Sequence, residues 1–179
     1  MKVIDMLQKM KHSPIGNYGG IPGLTSWLIG TPGPQGLVRL MECSRKHEEP
    51  IIPHSHRFDF HCQVLAGEVG NVIWERDIYG TSDEFQQTTM RYAGRPGAYD
   101  AVASEVGRWI ATRKTYTVND EYSMTADQVH SIFFSRGAAV LFFEGPTVTD
   151  TSIILEPFVN GEVVPTFKVE PWMFKRVSP

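Results

Sequence analysis

From Pro14 through Gly19-Gly20, Pro22-Gly23 and Pro32-Gly33-Pro34 to Gly36, glycine or proline returns every few residues. Proline lacks the amide hydrogen a helix needs and glycine pays the largest conformational entropy, so no long helix can pass through such a stretch. Strand signals fill the spaces between breakers. β-Branched and aromatic runs predict strands at residues 25–29 and 37–43, and a pair within 58–74 broken at Gly67 and Gly70. Further strands are expected at 115–118, 131–134, 138–143, 152–159, 163–169 and 172–174, with Gly137 and the Asn160-Gly161 pair as hairpin turns. Helix is expected only at residues 3–11, with a weaker signal at 98–111. Many short strands with so little helix predict an all-β sandwich or barrel.

With 179 residues, 41% of them hydrophobic, the chain suits one domain with a sizeable core. Its 20 acidic and 17 basic residues give a net charge of −3, and no run of Lys or Arg could track a phosphate backbone, so nucleic acid is not an expected partner. Lys2, Asp5, Gln8 and Lys9 interrupt the first ten residues, which read neither as a signal peptide nor as a membrane span. A cytoplasmic protein is expected, without membrane association. Cys43 and Cys62 form no paired motif, consistent with free thiols in a reducing compartment.

The chemistry is concentrated in Pro53-His54-Ser55-His56-Arg57-Phe58-Asp59-Phe60-His61-Cys62. Side chains two apart on a strand share a face, so His54 and His56 can present two imidazoles to one point. A neutral imidazole is the commonest ligand for iron, zinc, nickel or copper, and the remaining ligands must come from elsewhere in the chain.

This segment resembles the first motif of the cupin superfamily, an HxH pair followed by a glycine turn, here Gly67. Residues 127–134, containing His130, resemble the second motif, and 137–143 its sequel. The resemblance covers roughly residues 37–146 and implies a double-stranded β-helix, or jelly-roll barrel, with a short N-terminal helix added. It implies His54, His56 and His130 as metal ligands. Two departures stand out: Phe60 occupies the place of the usual glutamate ligand, and Thr125 and Asp127 replace the usual proline and glycine of the second motif. A three-histidine set resembles that of the cysteine dioxygenase-like cupins, which implies Fe(II) and a small thiol or other chelating anionic substrate, with Zn, Mn or Ni as alternatives. An HxHxxDF pattern, His54, His56, Asp59 and Phe60, also resembles a group of phage and bacterial cupins.

Other residues are weighed by register. In an unbulged strand Phe58, Phe60 and Cys62 share the face of His56, while Asp59 and His61 point away. A bulge would reverse this and bring Asp59 or His61 toward the metal. Without one, Asp59 is expected to brace a ligand or a turn, and Cys62 to be a small core residue. Arg39 alternates with Leu37 and Met41 and so points inward, either as a clamp for a substrate acid or paired with an internal carboxylate. Arg57 is an alternative anion contact at the rim. Tyr122 is a candidate proton donor. Residues 75–114 are longer than a cupin needs and are read as an insertion acting as lid or interface. The function these residues suggest is a non-haem iron dioxygenase. The alternatives are a non-catalytic ligand-binding cupin and a Zn- or Mn-dependent isomerase or hydrolase. Exposed sheet edges make a homodimer the default assembly.

Overall fold

The structure, a computed structural model, describes residues 12–30, 36–46, 52–94 and 98–164. The helix expected at 3–11 and the strand at 172–174 lie outside the described residues. Twelve strands follow in chain order: β1 His12–Gly16, β2 Leu24–Gly30, β3 Leu37–Cys43, β4 Phe58–Ala66, β5 Val69–Arg76 and β6 Glu84–Tyr92, then β7 Tyr99–Tyr116, β8 Glu121–Met124, β9 Val129–Phe134, β10 Ala139–Thr147, β11 Thr151–Val159 and β12 Glu162–Val163. A single 3-10 turn at Tyr18–Gly20 is the one helical element among the described residues.

The strands form two six-stranded sheets, ordered β1-β2-β3-β10-β4-β8 and β12-β11-β6-β7-β5-β9, with every pairing antiparallel. Alternation decides which side chains meet between them. On β4, Phe60, Cys62 and Val64 are buried while Asp59 is exposed, and on β10 Val140, Phe142 and Glu144 point inward. Phe60, Cys62, Val64, Val140 and Phe142 pack with Val69, Phe134, Tyr122, Met124, Met41 and Leu24 into the main core. Gly67 joins β4 to β5 at φ 67°, and a Cβ there would lie 2.8 Å from the backbone of Ala138. Both the left-handed backbone and the close approach demand glycine at this turn of the first motif.

The weak helical signal at 98–111 is overturned. These residues belong to β7, an 18-residue strand paired with β6 along its first half and with β5 along its second. Ala101, Ala103 and Ala111 favour helix locally, but two flanking ladders outweigh that preference. Most of the stretch read as an insertion is therefore paired strand. It also builds a second core. Residue 54 bridges His130 of β9 on one side and Ile154 of β11 on the other, so the second sheet closes on itself through the segment 53–55. Inside this closure Phe85, Trp109, Val129 and Leu155 pack with Trp74 and Ile153, and the Trp74 indole donates to Ser131 Oγ at 3.0 Å. No helix among the described residues is long and apolar enough to cross a membrane.

Candidate metal centre

The segment 52–56 enters β4 from the second sheet, and the HxH pair is set by what flanks it. The amide of His54 donates to His130 O and the amide of His130 donates back to His54 O, each at 2.9 Å. On the other edge Ser55 donates its amide to Ile153 O and accepts the Ile153 amide at its hydroxyl, both at 2.8 Å. Backbone pairing on both edges thus aims His54 and His56 into the space between the sheets, where His130 of β9 meets them.

One ring nitrogen from each histidine lies within 4.8 Å of the others, and His56 Nε2 is 2.9 Å from His130 Nε2. Two neighbouring ligands on one ion, at metal–nitrogen bonds of about 2.1 Å, stand about 3 Å apart, so the separation fits a shared metal. The outer nitrogens are already engaged. His54 Nδ1 lies 2.8 Å from Ile52 O and His130 Nδ1 lies 2.8 Å from Asn71 Oδ1. As N–H donors to these oxygens, both rings keep Nε2 as a free lone pair. Burial, the leading cause in each ring, lowers the His54 pKa and holds those of His56 and His130 well below the usual histidine value. All three rings are neutral at physiological pH, the form that can ligate.

The rings line a cavity of about 150 Å³ walled by Phe58, Phe60, Ile132, Phe142 and Tyr122. Phe60, in the place of the usual glutamate, is buried with its ring 4.9 Å from His56 and 5.7 Å from His130. The register shift beside this point of the β4–β10 ladder puts its extra residue on β10, between Glu144 and Thr147, so the alternation on β4 holds after His56, which corrects the alternative that would bring Asp59 or His61 to the metal. Asp59 faces outward, and its Oδ1 accepts the Ala126 amide at 2.8 Å, clasping the turn that leads to His130. His61 is turned to the outer face, 3.0 Å from Ser123 Oγ and 3.5 Å from Glu121.

Tyr122 stands on the cavity wall, opposite Cys62 on the neighbouring strand and stacked on Tyr116 at 4.5 Å. Its buried hydroxyl has no oxygen or nitrogen partner among the described residues, and burial keeps the phenol protonated well above its ordinary range. It can donate a hydrogen bond from a phenol that stays protonated near neutrality. Burial likewise pushes the Cys62 thiol up to about 12, and neither cysteine is in a disulfide. Arg39 is buried and points inward as its alternation implies, yet its nearest carboxylate is internal: Nε lies 4.0 Å from Glu144, and both side chains are 2% exposed. Glu144, not Arg39, lines the cavity.

Sequence reasoning missed Asn71 and Glu144. Each interrupts an otherwise apolar face, Asn71 between Val69 and Ile73 and Glu144 after Val140 and Phe142, and that interruption was the available signal. Because Asn71 orients His130, Asn71→Leu is expected to weaken metal binding about 10- to 100-fold while the fold survives. Titration of the variant with Zn²⁺ against a competing chelator checks this; unchanged affinity would remove Asn71 from the centre.

Three histidines from an HxH segment and a facing strand converge between the two antiparallel sheets that the described residues form. Neither a family model nor a curated protein matches it. Solved structures similar to it include KdgF from Halomonas sp., at 11% identity and a TM-score of 0.42, covering 75% of this chain and 88% of that one. An RmlC-like cupin from Shewanella frigidimarina aligns at 13% identity and a TM-score of 0.45, over 78% and 88% of the two chains. Hydroquinone 1,2-dioxygenase from Sphingomonas sp. aligns at 12% identity and a TM-score of 0.40, over 68% and 65%.

Proposed function

We propose that the protein is a mononuclear metal enzyme of the non-haem iron type, holding Fe(II) through His54, His56 and His130 and oxidising a small chelating anion with O₂. The observation that carries this reading is the convergence of three neutral ring nitrogens within 4.8 Å in a largely apolar cavity. Bound iron would supply open positions on which O₂ and a chelating substrate can meet. A thiol is the substrate that the sequence resemblance favours.

The chain's own residues do the rest. The Ile52 carbonyl and the Asn71 amide oxygen hold the His54 and His130 rings in orientation. Phe60 and Phe142, with ring centroids 5.0 Å apart, close one wall against water. Tyr122 keeps a proton beside the cavity that it can donate as a hydrogen bond.

Purified protein is expected to carry about one transition metal per chain by elemental analysis, and the iron-loaded form to consume oxygen in the presence of a small thiol. A His54→Ala, His56→Ala double variant should lose nearly all of both. Full metal occupancy in that variant would place the site elsewhere, and iron binding without oxygen uptake across a panel of small thiols would remove the thiol oxidation.

A further inference from the structure

Arg57 follows the HxH pair directly, yet it is only 7% exposed and lines the same cavity as the three histidines. Its guanidinium carbon lies 4.1 Å from the centre of the Tyr92 ring and 5.9 Å from that of Tyr99, the residues that end β6 and begin β7. The adjoining ends of β6 and β7 thus reach the residue that follows the HxH pair, and Tyr99 also lines the cavity. Arg39, Arg76, Arg91 and Arg108 each have an acid, respectively Glu144, Glu105, Asp150 and Glu84. Arg57 has none: among the described residues its guanidinium meets aromatic rings and no carboxylate.

A buried cation without a counter-charge is costly, and stacking on a tyrosine offsets only part of that cost. Stacking also occupies the flat face of the guanidinium and leaves its edge, the N–H fork, free to meet a carboxylate. We propose that Arg57 makes the cavity a binding site for small monocarboxylates with one ring or one branched alkyl group. The size follows from the volume, since a dry cavity near 150 Å³ is large enough for benzene. The apolar body follows from Phe58, Phe60, Ile132 and Phe142 in the wall. The single charge follows from Glu144, which lines the same cavity and, though it faces Arg39, would disfavour a second anionic group.

This inference deepens the reading above, because the carboxylate would lie beside the three histidines, but it does not need the metal to be bound. The test therefore uses the full chain both stripped with a chelator and loaded with Zn²⁺. Isovalerate and benzoate, each with its neutral amide, are titrated by calorimetry into wild-type, Arg57→Lys and Arg57→Gln protein. Both acids should bind wild type in both forms, with the amides weaker by about tenfold or more, as loss of a charge-assisted pair implies. Arg57→Gln should lose at least as much and Arg57→Lys less, while malonate should fail to bind. Three results overturn the proposal: acids and amides binding alike, Arg57→Gln binding as wild type does, or acid binding that appears only with Zn²⁺ and vanishes in the His54→Ala, His56→Ala variant. No acid binding in either form overturns it equally. Should Arg57→Gln fail to fold, the acid-to-amide ratio in wild type still decides. Acid binding in a protein that takes up no metal would sink the metal reading and leave this one standing.

Discussion

Replacing Arg39 with alanine is expected to lower stability by about 3–5 kcal/mol, because the change removes the buried cation beside the buried Glu144 carboxylate. The pair joins adjacent strands, Glu144 at the cavity wall and Arg39 behind it, with Arg39 opposite Phe142 in the β3–β10 ladder and a further contact from Arg39 Nη1 to Ser26 Oγ at 3.4 Å. Removing one partner leaves the other charge buried without the counter-charge across the β3–β10 ladder. Removing both is different. An Arg39→Met, Glu144→Gln double variant gives up the attraction together with both desolvation costs and should recover most of the loss. Urea denaturation of the wild type, both single variants and the double variant yields the coupling. A loss below about 1 kcal/mol for Arg39→Ala would mean that water reaches Glu144, and the arginine would again be free to serve an anionic ligand.

Acid should unfold the metal-free protein sharply, and the histidines are the cause. Loss of hydration holds the His54 pKa below the usual value and those of His56 and His130 well below it. As pH falls through about 6.5 the unfolded chain takes up a proton at each ring, while the folded barrel does not. Stability that is fully present above that pH is therefore lost below it, at up to about 4 kcal/mol per pH unit while all three rings differ in protonation. A bound metal requires the neutral rings and binds the folded state, so it should move the loss to lower pH. Thermal melts from pH 8 to 4.5, with and without Zn²⁺, check both statements. A melting temperature flat to pH 5 in the metal-free form would show that the rings ionise freely and are not enclosed.

The histidine cluster was legible because its signals are local. An HxH pair needs only the period of a strand to put two rings on one face, and the same period correctly set Phe60 inward and Asp59 and His61 outward. Gly67 was legible as a turn, though not the contact with Ala138 that makes it obligatory. What escaped was everything that depends on which strands become neighbours. Arg39 could be read as inward-facing, but its partner stands on β10, and no local pattern joins the two. Asn71 meets His130 only because β5 pairs with β9. The alanines of β7 pointed toward helix, and the second core could not be foreseen without knowing that residue 54 would close the sheet around it.

That closure bears on how the protein must fold. His56 and His130 are 74 residues apart in the chain, and Ser55 and Ile153, whose bond locks the HxH segment in place, are 98 apart. Contacts so distant are entropically expensive to form early, so a chain dominated by them folds slowly. Until β11 has emerged and docked, segment 53–55 lacks one of its two flanking ladders and the three rings have no reason to converge. Metal capture should therefore be a late event in folding, following the slowest structural phase rather than nucleating it, and a chain truncated before residue 151 should be unable to hold the ion however long it is given.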